Sequence, residues 1–188
     1  IDAADGAFTI RARPYSTDEP WTVHAVGRLP TEAAPALLTQ VWPGIPERHP
    51  DFDAAAHLRL TIRAGLTYGP AFQAVRHGWV DAGAVRAVLQ MPPTAEPEAP
   101  GRYHLHPALL DCTFQLIIHL LKDELEDHEG VAYVPTRIGR LICRRGQLSP
   151  HFVEARLQRR SPHSLTVDFA LFDESGCCLA VVREARFR

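Results

Sequence analysis

The residues best placed to do chemistry lie in two short stretches. One is Gly65-Leu-Thr-Tyr-Gly-Pro-Ala-Phe-Gln73, a compact turn; the other is His106-Pro-Ala-Leu-Leu-Asp-Cys-Thr-Phe-Gln115. Asp111 and Gln115 are four apart, so on a helix they share one face. Their neighbours are mostly apolar, and a carboxylate there is costly unless it is paired, protonated or facing a cavity. A side-chain amide one turn further on could hold such a carboxyl in place. Apolar surroundings favour the neutral acid, whereas a nearby helix N-terminus favours the carboxylate. A general acid needs the first influence to win. The same aspartate can equally be a capping or dipole-matching residue, and on spacing alone that reading comes first. Tyr68-Gly-Pro can likewise be only a tight turn, and His106, followed by Pro107, only a neighbour of the helix start.

Other chemistries find less support. The ten histidines show no H-x-x-x-H or H-E-x-x-H spacing, so no metal site is expected. Cys112, Cys143, Cys177 and Cys178 form no C-x-x-C pair and read as reduced, mostly packed thiols of a cytoplasmic protein. Ser149 and Ser161 lack a G-x-S-x-G context. A net charge of -2 gives no electrostatic reason to expect a nucleic acid or membrane partner. Arg137, Arg140, Arg144 and Arg145 could meet an acidic partner, but a solvated strand edge is the simpler account. The longest aliphatic run, residues 116–121, is far too short to span a bilayer. The N-terminus has neither an initiator Met nor a basic leader, and reads as the middle of something larger.

The elements that must position these residues can be read from periodicity. Residues 8–13 and 21–28 alternate as strands, with turn residues between them that suit a hairpin. Prolines crowd residues 30–50, which read as a linker. Asp51 is a plausible N-cap for a helix running to residue 64, with Gly65 at its C′ position. Strands come next at 71–80 and 84–91, then a Pro- and Glu-rich loop at 92–100. Apolar residues at 109, 110, 114, 117, 118 and 121 predict a helix over 107–121, with Pro107 at its first position. Strands at 132–143, 151–160, 164–172 and 177–187 close the chain, the last two joined by the turn residues Asp173-Glu-Ser-Gly176. This order fits an α+β fold in which an antiparallel sheet wraps one apolar helix.

The two motif stretches resemble the Y-G-P-x-F and H-P-x-x-x-D-x-x-x-Q motifs of polyketide synthase dehydratase domains. Weaker matches fall in the same order: Trp21-Thr-Val-His-Ala-Val-Gly27 to a W-x-x-H-x-x-G strand, Val134-Pro-Thr-Arg-Ile138 to a V/L-P-x-x-I segment, and residues 173–180 to the closing hairpin. The resemblance implies a double-hotdog fold. Residues 1–28 would be the terminal strands of the first hotdog, 29–50 a linker, and 51–188 the second, C-terminal hotdog. It further implies elimination of water from a β-hydroxyacyl thioester to give an α,β-enoyl product. Asp111 would be the general acid and Gln115 its orienting partner. Tyr68, Gly69, Pro70, Phe72, His106 and Pro107 would line the substrate tunnel. No cofactor is implied beyond the phosphopantetheine of an acyl carrier protein that bears the substrate. Neighbouring synthase domains and homodimerisation are also implied.

The family's base histidine belongs to an H-x-x-x-G-x-x-x-x-P motif that these residues lack, and His24 sits in a different strand. The chain is therefore expected to be a half-site. The alternatives are a non-catalytic docking module, or a double-bond isomerase or cyclase that uses the same site.

Overall fold

Alternating burial along the last strands shows how this sequence makes a two-sided sheet. In the computed structural model, which describes residues 2, 4–29, 38–91, 103–122 and 132–188, strand β9 (Ser164–Phe172) turns Leu165, Val167, Phe169 and Leu171 to one face. Ala170 and Phe172 belong to a separate apolar cluster. Every ladder of the main sheet is antiparallel, and strand order is β3-β4-β5-β8-β9-β10-β6, with β7 also on β10. The strands are β3 (Phe52–Asp53), β4 (Val75–Asp81), β5 (Ala84–Leu89), β6 (Pro135–Arg137), β7 (Arg140–Cys143), β8 (Phe152–Ser161) and β10 (Cys178–Phe187). Helix α2 (Pro107–Gln115) places Leu109, Cys112 and Phe114 in the main apolar cluster with the sheet residues. This is the α+β hotdog arrangement expected from the sequence.

Residues Ile1–Pro35 and Ala36–Arg188 form two separate compact units. In the first, β1 (Ala7–Ala12) pairs with β2 (Thr22–Arg28) as an antiparallel hairpin.

Several local features depart from the sequence reading. Helix α1 spans Ala54–Arg63, and its N-cap is Asp53, which accepts from the Ala56 N–H at 2.7 Å, not Asp51. Residues 52 and 53 pair with β4, so the chain is still extended there. The Asp51 carboxylate instead accepts from the Val80 N–H and the Arg48 guanidinium. Gly65, at φ +83°, does sit just past the helix as its left-handed terminator.

The helix expected over 107–121 is broken at Leu116, and α3 (Ile117–Leu120) continues after it. Thr113 Oγ1 donates back to the Leu109 carbonyl, a bond that bends helices. The β-branched pair Ile117 and Ile118 weakens the next turn, and the backbone at 116, 119 and 121 tightens to i→i−3 bonds.

The strand expected over 132–143 is two short ones around Gly139. β10 carries a bulge between Val182 and Ala185, with Glu184 at φ +54°. The extra residue reverses the alternation, so Val182, Ala185 and Phe187 all join the helix-side cluster. Asp168 fixes the bulge by accepting from the Glu184 N–H at 2.8 Å and pairing with Arg183.

The Pro-rich stretch is partly an element of packing. Trp42 stacks on Phe152 at 4.9 Å and 6° and tilts against Phe172, so it joins the second cluster of the sheet. The remainder of that stretch, 30–37, and the loop expected at 92–100 lie outside the described residues.

Candidate active site

Asp111 lies in the second turn of α2, whose first residue is Pro107 and whose N-cap is His106. Gln115 ends the helix, one turn beyond Asp111 on the same side, and is 5% exposed. Its Nε2 donates to Asp111 Oδ2 at 2.9 Å and to the Phe72 carbonyl at 3.1 Å. The i,i+4 pair seen in the sequence is therefore a real contact. The Tyr68-Gly-Pro turn supports it from across the chain: Pro70–Phe72 forms one 3-10 turn that presents the Phe72 carbonyl to Gln115.

Asp111, Tyr68 and Gln115 line a cavity of about 130 Å³ together with Leu66, Phe114 and Phe187. Burial first, and the Asp111 carboxylate second, push the Tyr68 hydroxyl up to about 12, so it stays a neutral donor at ordinary pH. Cys112, next to Asp111, is fully buried in the core, with its Sγ 3.8 Å from Gln115 Nε2. Its Sγ accepts from the Ala74 N–H, and burial pushes the thiol up to about 11. It is a packed thiol and not a nucleophile.

The other site residues expected from sequence are distributed more widely. Phe72 contributes its carbonyl, while its side chain is 39% exposed. Gly69 caps the 3-10 turn and Pro70 starts it. His106 faces a different, wider cavity of about 820 Å³, where its ring meets Tyr103 edge-on and Leu89, Met91 and Asp173 contribute to the wall. Its Nδ1 accepts from the Ala108 N–H at 3.2 Å, so it also caps the helix. Pro107 has the fixed φ suited to the first helical position. The structure thus brings Asp111, Gln115, Tyr68 and the Phe72 backbone together and leaves His106 at the other cavity.

Two buried histidines escaped the sequence reading. His57, on α1, sets Nε2 3.1 Å from Gln115 Oε1, and its Nδ1 is 3.0 Å from His119 Nε2. His119, on α3, stacks on Phe52 with ring centroids 3.6 Å apart. Phe52 can lie there because its partner in the ladder is Gly78, where a Cβ would collide with the Phe52 ring and the Arg86 carbonyl. Burial holds His57 below its ordinary value, against a smaller opposing effect of its bond to Gln115. His119 is pushed down to about 3, chiefly by burial, with His57 and Lys122 acting in the same direction. A sequence signal for His119 existed: 111, 115 and 119 continue one stripe of spacing four. His57 had only its i,i+4 relation to Thr61 on the buried side of α1. Among the described residues no group of three His, Cys, Asp or Glu side chains converges on a point that could hold a metal ion.

Comparison with known proteins bears on this geometry. A family model described as "Polyketide synthase dehydratase N-terminal domain" matches residues 50–188. The spectinabilin polyketide synthase system protein NorB of Streptomyces orinoci is 35% identical over 175 residues, which is 92% of this chain and 8% of that protein. Polyketide synthase GfsB of Streptomyces halstedii is 32% identical over 133 residues, 69% of this chain and 2% of its own length. Among solved structures, a trans-AT PKS dehydratase domain from Brevibacillus brevis superposes with a TM-score of 0.77 at 20% identity, covering 97% of this chain and 64% of its own. The dehydratase domain of PpsC from Mycobacterium tuberculosis, in complex with C12:1-CoA, gives 0.71 at 24% identity, covering 96% and 62%. At these identities the structural likeness speaks for the fold. The chain spans less than two thirds of these solved domains, and under a tenth of these two synthase proteins.

Proposed function

Because this chain belongs to the polyketide synthase dehydratase family, we propose that it supplies the acid half of a site that removes water from a β-hydroxyacyl thioester. The observation that carries this reading is the Asp111 carboxyl, facing the cavity it shares with Tyr68 and held on one oxygen by Gln115 Nε2 at 2.9 Å. With Oδ2 occupied as an acceptor, Oδ1 is the oxygen left to carry a proton to a substrate hydroxyl. In the elimination a base takes the α-proton, and the C–H electron pair forms the new double bond. The C–O bond breaks, and the proton from Asp111 leaves with the hydroxyl as water. Base and acid must face the substrate together.

The base histidine is assigned to a part of the domain beyond this sequence, in keeping with coverage of 64% of a solved dehydratase domain. Residues 51–188 are assigned to the second hotdog by the order of the motifs: the Trp21 strand precedes the Tyr68 turn, which precedes the Asp111 helix. The description of the matching model places its domain at the N-terminus instead. The substrate is assigned to the phosphopantetheine arm of an acyl carrier protein, and Tyr68 to the wall that receives the acyl group.

The test compares this chain with a version extended upstream by about a hundred residues, each given a β-hydroxyacyl thioester on a pantetheine mimic. Mass spectrometry tracks the loss of 18 mass units, the mass of water. Dehydration by the extended protein alone, abolished by Asp111→Asn, supports the assignment. A folded but inert extended protein would return Asp111 to a structural role, and a double-bond shift without water loss would identify an isomerase on the same residues.

A further inference from the structure

We propose that His57 and His119 are positioning residues, forming an ordered relay of imidazoles that fixes which way the Gln115 amide faces and thereby holds Asp111 for proton transfer. The inference rests on the dehydratase reading for its consequence in catalysis, but its structural content stands independently.

The direction of every bond in the relay is set by one backbone atom. The Phe72 carbonyl can only accept, so the Gln115 atom 3.1 Å from it must be the NH2 group. That same nitrogen meets Asp111 Oδ2, and its two hydrogens are then both used. Oε1 is therefore turned to His57 Nε2 at 3.1 Å, and because a carbonyl oxygen cannot donate, Nε2 must carry the hydrogen. A neutral His57 then has a bare Nδ1, which can only accept from His119 Nε2–H at 3.0 Å. The order is His119 Nε2–H to His57 Nδ1, His57 Nε2–H to Gln115 Oε1, and Gln115 NH2 to Asp111. Rotating the amide by half a turn would set its oxygen against two acceptors and its NH2 against the His57 N–H. The relay makes that state expensive, since His57, His119 and Gln115 are all buried.

The surroundings keep both rings neutral. His57 and His119 are 2% and 6% exposed, and the Phe52 ring covers one face of His119. The charged groups acting on the pair are Lys122 after α3 and Asp51 before β3, which oppose each other at His119. Asp111 on α2 is reached only through Gln115. A second proton on His57 would put an N–H on Nδ1 facing His119 Nε2 across 3.0 Å, so His119 would have to give up its Nε2–H tautomer and the order of the relay would change.

Two measurements test this. In the chain of residues 1–188, long-range 15N–1H spectra of the imidazoles should show both His57 and His119 as Nε2–H tautomers at neutral pH, with His119 gaining no proton down to pH 5. The Gln115 side-chain amide should exchange slowly. His57→Phe, which keeps a ring but deletes the donor, should abolish that protection, and His57→Gln, which offers an N–H and an acceptor again, should restore it. A Nδ1–H tautomer at His57, or a Gln115 amide unchanged in His57→Phe, overturns the proposal.

In the extended dehydratase, His57→Phe should lower kcat about tenfold, the loss of one buried hydrogen bond's worth of ordering, with KM held and His57→Gln recovering most of the loss. An unchanged kcat in a folded His57→Phe protein also overturns it. Should that variant fail to fold, His119→Phe, which removes only the outer donor, carries the same two readouts. If Asp111→Asn retains turnover, the assignment of Asp111 as the acid fails while the spectra still decide the relay.

Discussion

The two cavities beside α2 differ by a factor of about six in volume, and the smaller holds the Asp111 carboxyl. The one at the N-terminal end encloses about 820 Å³ and is walled by His106, Tyr103, Met91 and the Ser149 segment. The other encloses about 130 Å³ around Asp111. The wide cavity takes its form from the way strands and turns meet around the helix start, and His106 there is occupied with capping. Behind the narrow one, four polar side chains from α1, α2 and α3 are hydrogen-bonded in series. Burying those groups costs free energy that a purely apolar core would avoid. The feature that singles out the narrow cavity is the buried polar chain ending on a carboxyl, not its volume.

The largest test of that contrast is catalytic. In the extended protein Asp111→Asn is expected to lower turnover by at least about a hundredfold. Ser149→Trp, which fills part of the wide cavity, should leave turnover within about threefold, read by the same mass-spectrometric assay. Equal losses from both would show that the acyl group uses the wide cavity as well.

Packing beneath the narrow site comes next. Gly78→Ala drives a methyl into the Phe52 ring and the Arg86 carbonyl. It should cost about 2–3 kcal/mol in urea unfolding and disturb the His119 ring that Phe52 covers. A stability change below about 0.5 kcal/mol would mean that Phe52 yields freely and does not brace the relay.

Acid should separate the two ends further. His57 and His119 are held below their ordinary values, His119 at about 3. Between about pH 6.5, where histidines of the unfolded chain titrate, and about 3, the unfolded state binds more protons than the native one. Stability from this source is complete above about 6.5 and is lost as pH falls toward 3. From pH 7.5 to 5 the loss should be about 2 kcal/mol from His119, with a further contribution from His57, and His57→Phe with His119→Leu should reduce it. A double variant with the same pH dependence would place the acid sensitivity elsewhere.

The smallest effect belongs to the wide end. His106→Ala removes a cap bond to the Ala108 N–H and should cost about 1 kcal/mol of stability. It should leave the imidazole spectra of His57 and His119 unchanged. A shift in those spectra would show that the two ends of α2 are coupled.

Much of this molecule was legible from local pattern. The turn at Tyr68, the start of α2 at Pro107, the Asp111–Gln115 contact and the hairpin at 173–176 all depend on residues close in sequence, where propensity and spacing act directly. The same locality explains the misreadings. Asp51 and Asp53 are both good caps, and only the pairing of Phe52 with Gly78 decides that the helix starts after the second. Trp42 stands in a stretch whose prolines mark a linker, yet Phe152 and Phe172 on distant strands give its ring a place to pack.

By itself, then, the sequence determined the helix that bears Asp111, the amide one turn beyond it and the α+β order of elements, because these arise from periods of two and four residues along one chain. The tertiary structure alone decided that His57, 58 residues before Gln115, would face its carbonyl oxygen and that His119 would stand behind it. It also decided that a bulge at Glu184 would turn Phe187 into the cavity wall. Such contacts arise where separately formed elements close around a shared core, and their register is set by packing between segments that carry no local record of one another.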